Sequence, residues 1–260
     1  MHIQYGSRSD QGKVRTSNED SYTASTKLKL FLVADGMGGH AAGEIASQIA
    51  ASTVEEVFAS RADADSAPEE VLRAAAQAAN SRIYEAQRQK PEFAGMGSTL
   101  TILSIHDDQY YIAHVGDSRA YLLRDGVLDQ LTRDHSLVWH LFENGVLDKD
   151  ELSSHPQKNL ITRSIGPHPH VEIDLEKGEI REGDVFLLCS DGLTDVVSDE
   201  GIHKVLSDTN RTPQELGESL VNAANGSGGP DNVTVIIVRL EPGSAGDQED
   251  TGKHRVRRKP

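Results

Sequence analysis

The stretch VADGMGGHAAGE, Val33 to Glu44, ends an apolar run and places a carboxylate beside several glycines. The run itself, LKLFLVA, predicts a buried strand, and Ile45, Ile49 and Val54 recur beyond it near helical spacing. A strand that turns into a helix through glycines is typical of a nucleotide-phosphate loop, a metal site or a tight turn. Other parts of the sequence distinguish between these three interpretations.

A dinucleotide site is the first alternative. Gly36, Gly38 and Ala41 satisfy the G-x-G-x-x-A pattern, and acidic residues follow roughly twenty positions later. Asp35 opposes this interpretation because its charge would face a pyrophosphate. The downstream strand pattern opposes it as well, since it does not continue a β-α-β-α series.

The elements beyond this stretch predict an α+β fold. One long helix is expected over EEVLRAAAQAANSRIYEAQRQ, and short strand-like runs follow between Ser98 and Leu131. Asp125-Gly126 is a hairpin signal, because glycine accepts the positive φ of a primed turn. We therefore expect consecutive hairpins, then two late strands, DVFLLCS and NVTVIIVRL, on either side of a helical segment. Helices grouped beside meandering strands indicate helices packed on antiparallel sheet.

The simplest division is one domain over residues 1–240 and a tail over residues 241–260. The tail has no apolar periodicity and is rich in Gly, Pro and charge, so we expect it to be disordered, with its basic end KHRVRRKP in solvent.

Composition limits the function classes. The chain has 26 Lys and Arg against 41 Asp and Glu, a net charge of -15, which argues against binding a phosphate backbone of nucleic acid. No stretch approaches the roughly 20 apolar residues of a membrane span, and the opening residues lack a signal-peptide segment. The single cysteine, Cys189, lies in the apolar run VFLLCS and is expected to be buried. We expect a cytoplasmic, monomeric protein.

The metal interpretation gains support because a carboxylate recurs at strand ends. Asp35, Asp117 and Asp191 each follow a predicted strand, and Asp231 precedes another. Any one of them suits an ordinary turn. Four such aspartates, with no basic residue immediately beside them in sequence, favour a metal cluster instead. Oxygen ligands without a Cys or His group select Mg²⁺ or Mn²⁺ over Zn²⁺.

An ordered set of motifs spans nearly all of residues 1–240. On these motifs the chain resembles the metal-dependent Ser/Thr protein phosphatases of type 2C, in their bacterial form. The motifs are VRTSNEDS, VADGMGGHAAGE, GMGSTLT, HVGDSRAYLLRDG, LTRDHS, LLCSDGLTD and GGPDNVTV.

The resemblance implies a fold and a metal centre. The fold would be a central β-sandwich of two antiparallel sheets flanked on both sides by helices, four layers in the order αββα. Asp35 would bridge two metal ions, Mn²⁺ or Mg²⁺, and Gly36 would offer its backbone carbonyl. Asp191 and Asp231 would complete that pair of sites, and Asp117 would bind a third, weaker ion.

Three further residues receive catalytic roles from the resemblance. Asp20 would orient metal-bound waters, and Arg15 would clamp the substrate phosphate, a task that suits the two-pronged guanidinium. His40 is either the acid that protonates the leaving oxygen or a structural histidine near the helix start. In many eukaryotic members of the family this histidine directly follows Asp-Gly, whereas Met37, Gly38 and Gly39 intervene here.

The segment from Ser136 to Gly166 matches the variable flap beside the family's active site and is expected to influence the choice of substrate. Asn159 lies in it where some relatives have serine near the third metal. Trp139 belongs to an apolar patch that either packs the flap down or contacts a substrate. The histidines in and near the flap fit no compact zinc motif and are expected to be solvated: His135, His140, His155, His168 and His170.

The predicted function is therefore a metal-dependent protein serine/threonine phosphatase that attacks phosphoserine and phosphothreonine with a metal-activated water. Its partners would be phosphorylated proteins, including a Ser/Thr kinase or the targets of one. A noncatalytic phosphoprotein-binding module on the same fold is the alternative, and a dinucleotide oxidoreductase comes last.

Overall fold

The computed structural model describes residues 1–38, 42–61 and 66–242. The strands within these ranges are β1 His2–Asp10, β2 Asp20–Ser25, β3 Leu30–Met37, β4 Gly97–Ser98, β5 Leu100–His106, β6 Gln109–Val115, β7 Arg119–Arg124, β8 Val127–Gln130, β9 Asp174–Glu179, β10 Val185–Cys189 and β11 Val233–Glu241. The α-helices are α1 Ala42–Arg61, α2 Pro68–Gln89, α3 Leu137–Glu143, α4 Asp191–Thr194, α5 Asp199–Leu206 and α6 Pro213–Gly226. Two short 3₁₀ turns cover Pro91–Phe93 and Lys149–Ser154.

The strands of the described residues form two sheets, and their pairings are antiparallel. The first sheet has the order β1-β11-β10-β7-β8, and the second has β2-β3-β5-β6-β9 with the short β4 beside β3. The dinucleotide interpretation is thereby wrong, because its phosphate loop belongs to a parallel β-α-β unit.

The apolar run LKLFLVA, which contains most of β3, is buried on both faces of that strand. Leu30, Leu32 and Ala34 of β3 pack with α1 and α2. Phe31 and Val33 point the other way, into the space between the sheets. A strand covered on both faces needs apolar side chains at every position, which is why β3 reads as a continuous apolar run rather than an alternating one.

Three apolar cores correspond to four layers. One core lies between α1, α2 and the second sheet, one lies between the sheets, and one lies between the first sheet and α4, α5 and α6. The predicted αββα sandwich is confirmed. Cys189 is fully buried on the helix side of β10, as predicted, and burial raises the pKa of its thiol to about 12.

The prediction of consecutive hairpins needs a correction. β5–β6 and β7–β8 are hairpins, and Asp125 and Gly126 have the positive φ of 52° and 78° that a primed turn requires. Between them, however, β6 and β7 belong to different sheets, so the segment Gly116–Ser118 crosses the sandwich. Gly116 has φ of 113°, and a Cβ there would lie 2.6 Å from the side chain of Thr99. This crossover carries Asp117.

None of the helices in the described ranges is long and apolar enough to cross a membrane.

Candidate metal centre and active site

One end of the sandwich gathers the aspartates that the sequence singled out. Asp35 lies near the end of β3 and pairs across the sheet with Asp20, the first residue of β2. Asp191 begins α4 directly beyond β10, and Asp231 precedes β11. Asp117, in the crossover, faces the same space, since its charge acts on both Asp35 and Asp191. Five carboxylates from five separate chain segments thus meet at one end of the fold.

The carboxylates repel one another in a buried setting. Burial, followed by the charges of Asp20, Asp191 and Asp117, raises the pKa of Asp35 well above its usual 3.8. The pKa of Asp191 is raised in the same way, first by burial and then by Asp117. Burial is also the first cause for Asp117, whose pKa rises to about 7, and for Asp20, whose pKa rises to about 6. Such a group is costly unless positive charge accompanies it.

Three carboxylate oxygens of this group are available to bind a positively charged ion. The Oδ1 atoms of Asp20, Asp117 and Asp191 are buried and have no hydrogen-bond partner among the described residues. Buried carboxylate oxygens without donors are the ligands that hard divalent cations take. In the described ranges, no group of three or more His, Cys, Asp or Glu side chains is positioned closely enough to hold a metal ion as it stands. The donor chemistry fits Mg²⁺ or Mn²⁺, and the predicted ligand set stays a prediction.

A buried hydroxyl network supports Asp35 and Asp117. Thr99 Oγ1 accepts a 2.8 Å hydrogen bond from the backbone N–H of Asp35, and the backbone N–H of Thr99 donates to the Asp35 carbonyl at 2.8 Å. The same Oγ1 lies 2.7 Å from Ser118 Oγ, beside Asp117. Thr99 therefore links the end of β3 to the crossover. Thr99 is not among the site residues predicted from the sequence, although the polar residues of GMGSTLT that precede an apolar strand were an available signal.

Asp20 has a support of its own. Its Oδ2 accepts a 2.8 Å hydrogen bond from Ser190 Oγ, and that hydroxyl in turn accepts from the Thr234 N–H at 3.0 Å. One carboxylate oxygen is thus fixed, and the other, Oδ1, is left without a partner. This arrangement suits the predicted role of Asp20 in orienting water.

The loop before β2 brings a positive charge to the site. Arg15 Nη2 lies 2.6 Å from Asp231 Oδ2, and this hydrogen bond is the first cause that raises the pKa of Arg15. Asn232 holds the loop: its Nδ2 donates to the carbonyls of Gln11 and Ser17 at 2.9 and 2.8 Å. The other guanidinium nitrogens of Arg15 make no hydrogen bond to the described residues, and the side chain is half exposed, so these donors are accessible to a ligand.

Gly36 lies where the backbone is crowded. A Cβ there would collide with the carbonyl oxygens of Gly43 and Glu19. Its N–H donates to the Glu19 carbonyl at 3.1 Å, which ties the SNED segment to the end of β3. The close approach explains why glycine is required beside Asp35. His40 lies outside the described residues.

The flap is anchored at both ends and closes over a cleft. Isolated bridges join Ser136 to Ile161 and Ser98 to Ile165. Near its middle, Lys158 Nζ and Asn159 Nδ2 lie 3.0 and 3.3 Å from Asp195 Oδ2, one turn beyond Asp191. The space beneath, which we call the flap cleft, has a volume of about 210 Å³. Among its lining residues are Asp117, Asn159 and Asp191.

His135 corrects the expectation that the histidines are solvated. It is 8% exposed, its Nδ1 accepts from the Gly116 N–H at 3.0 Å, and its Nε2 lies 3.2 Å from Asp174 Oδ2. Burial, then the charge of Arg163, lowers its pKa. His135 is a structural residue that fixes the crossover, because its neighbours use both of its ring nitrogens.

The comparisons with known proteins agree with this geometry. A family model described as protein phosphatase 2C matches residues 11–223. The chain is 43% identical over 237 residues to the serine/threonine protein phosphatase PstP of Mycobacterium tuberculosis, covering 90% of this chain and 44% of that protein. It is 37% identical to the serine/threonine phosphatase stp of Listeria monocytogenes, covering 93% of this chain and 96% of that one.

One solved structure that is similar to this chain contains manganese ions. The catalytic domain of the phosphatase PstP in complex with two manganese ions superposes with a TM-score of 0.82 at 41% identity, covering 92% of this chain and 99% of that one. With these matches, the chain belongs to the protein phosphatase 2C family, as the ordered motifs predicted. It spans less than half the length of the mycobacterial relative and nearly all of the Listeria one.

Proposed function

We propose that this chain is a metal-dependent protein serine/threonine phosphatase. The observation that carries the proposal is the group of Asp20, Asp35, Asp117 and Asp191, whose charges act on one another and three of whose carboxylate oxygens are buried without a partner among the described residues. A binding module need not keep so costly a group. Membership of the family supports the same conclusion, and so do the names of its relatives.

The metal ions would be Mn²⁺ or Mg²⁺, two of them held by Asp35, the Gly36 carbonyl, Asp191 and Asp231, and a third by Asp117. When bound, such ions activate water as a nucleophile and offset the charge on phosphoryl oxygens. The two-manganese complex of a relative supports the pair of sites.

The remaining site residues bind and orient. Arg15 would donate hydrogen bonds from its remaining guanidinium N–H groups to two phosphoryl oxygens, while Asp231 holds the guanidinium in place through Nη2. Asp20, fixed on one side by Ser190, would accept a hydrogen bond from a water through its other oxygen and so orient that water. We expect the substrates to be phosphoserine and phosphothreonine in proteins, including a Ser/Thr kinase or its targets.

The test is phosphate release from an aryl phosphate and a phosphothreonine peptide with chelator, Mg²⁺ or Mn²⁺. Asp191→Asn is compared with Asp208→Asn, a charge-matched and partly exposed aspartate in the turn after α5 that forms an ion pair with Arg211. We expect metal-dependent release that Asp191→Asn lowers by at least about a hundredfold, the order of effect seen when one transition-state contact is lost, with Asp208→Asn unaffected. Folded wild-type protein that releases no phosphate under any metal would contradict the proposal and favour the binding module.

A further inference from the structure

The flap cleft is lined by apolar side chains as well as by the predicted metal ligands Asp117 and Asp191. The apolar lining residues are Val138 and Trp139 of α3, Leu152 of the flap and Val197. The cleft therefore combines acidic groups with apolar surface. Its volume of about 210 Å³ is enough for one long side chain, not for a folded partner.

Two of the acidic residues that line the cleft already have cationic partners. Asp134 accepts three hydrogen bonds from Arg119, at 2.6, 2.9 and 3.0 Å. Asp195 lies 3.0 Å from Lys158. Asp117 and Asp191 are assigned to metal ions. One carboxylate among the described lining residues therefore remains without a cationic partner.

That carboxylate is Asp199, at the start of α5. Its Oδ1 accepts a 3.1 Å hydrogen bond from the Tyr121 hydroxyl, and it forms no ion pair with any described residue. The side chain is exposed, so water solvates its charge when the cleft is empty. A cationic side chain entering the cleft would find Asp199 as its only uncompensated acidic partner in the lining.

Trp139 adds an independent feature. Its indole Nε1 is buried and has no hydrogen-bond partner among the described residues. A buried N–H without an acceptor indicates a missing partner, such as a backbone carbonyl of a bound peptide. The indole ring also offers a face on which the stem or charge of a lysine or arginine packs favourably.

We propose that the flap cleft binds a lysine or arginine side chain of the substrate peptide, near the phosphorylated residue, with its stem against Trp139 and its charge beside Asp199. The inference rests on the proposed function, because it names a feature of the substrate for the same site. It makes Asp199 and Trp139 determinants of specificity, outside the chemistry itself.

The test uses phosphothreonine peptides with alanine flanks, in which a single arginine is moved one position at a time on either side of the phosphothreonine. Trp139 is the only tryptophan in the chain, so its fluorescence reports peptide binding to the cleft whether or not the protein is catalytically active. Asp199→Asn removes the charge and keeps an acceptor for Tyr121. Glu200→Gln, the next residue on the same helix end but outside the cleft, is the charge-matched control.

We expect the wild type and Glu200→Gln to bind the best arginine peptide about three to five times more tightly than the alanine peptide, the range of a solvent-exposed ion pair. Asp199→Asn should bind both peptides within about twofold, and higher salt should reduce the wild-type preference. Aryl phosphate hydrolysis should be equal in all three proteins.

Absence of an arginine preference at every position, or equal losses in Asp199→Asn and Glu200→Gln, would overturn the inference. A wild type that binds the arginine peptide preferentially yet releases no phosphate would instead contradict the proposed function. The two failures are therefore separated by the fluorescence and the phosphate assay.

Discussion

Replacing Asp117 by asparagine should stabilise the metal-free protein. Burial and neighbouring charge raise the pKa of Asp117 from 3.8 to about 7, so at pH 8 the folded state holds an ionised group that it would bind better protonated. That difference corresponds to about 4 kcal/mol at most, since each tenfold in the proton equilibrium is worth about 1.4 kcal/mol. Neighbouring carboxyl groups share the relief when one charge is removed, so about 2 kcal/mol is the expected gain.

The sign of the pH dependence follows from the raised pKa. Below about pH 4 the carboxyl group is protonated in both the folded and the unfolded state, and the substitution gains nothing. The gain grows as the pH rises from about 4 to 7 and is complete above pH 7. Thermal unfolding in chelator should therefore show a midpoint about 4 to 8 °C higher for Asp117→Asn at pH 8 and unchanged near pH 4.

Asp134→Asn is the matched control, because Asp134 lines the same cleft and is also buried, at 8% exposure. Arg119 holds it with three hydrogen bonds, so its loss should destabilise the protein by about 3 kcal/mol. Opposite signs for the two aspartates are the expected result. A metal-free Asp117→Asn protein that unfolds below the wild type at pH 8, or that gains as much near pH 4, would refute the account of the site's electrostatics.

Two further substitutions test the backbone around the site. Gly36→Ala should lower the free energy of unfolding by about 3 kcal/mol, because the added Cβ would collide with backbone oxygens that cannot move away. Gly217→Ala in α6 is the control: its Cβ would lie no closer than 3.5 Å to any neighbour, so the substitution should be neutral or slightly stabilising. Urea unfolding of both variants measures the difference. Thr99→Val should lower the free energy of unfolding by about 2 kcal/mol, because it leaves the Asp35 N–H and the Ser118 hydroxyl unpaired. Thr99→Ser keeps a hydroxyl and should recover most of that stability. Equal losses of stability in the two variants would contradict the role of the Thr99 hydroxyl as a bridge.

The predictions from sequence succeeded where a local pattern has one structural meaning. The continuous apolar run of β3 and the run of β10 are buried on both faces, as such runs require. Asp35 and Asp191 stand at the ends of these strands, so finding the strands also located the carboxylates. The helix expected over EEVLRAAAQAANSRIYEAQRQ is likewise present as α2, and Leu72, Ala75 and Ala79 on its buried face recur at helical spacing.

The sequence did not reveal where the chain changes sheets. A turn that joins two strands of one sheet and a turn that crosses between sheets both call for glycine and aspartate, so Gly116-Asp117 resembled one more hairpin. The burial of His135 depends on that crossover, because its partner is the Gly116 N–H. Long-range pairings of this kind, and the Thr99 bridge with them, leave no periodic signal in the sequence.

The crossover also explains why the acidic group forms at one end of the sandwich. β3 and β6 belong to the second sheet, while β10 and β11 belong to the first. β3 and β6 both pair antiparallel with β5, so their last residues lie at the same edge of the second sheet, on either side of the start of β5. The crossing segment carries Asp117 from there toward the first sheet, where β10 ends at Cys189, two residues before Asp191. The carboxylates of two separate sheets therefore face one another across the sandwich, and none of the pairings that hold the sheets together depends on their charge. Because the three apolar cores stabilise the fold, they can hold these mutually repelling carboxylates in place without a bound metal. A site that is already formed in this way can bind cations without first folding around them.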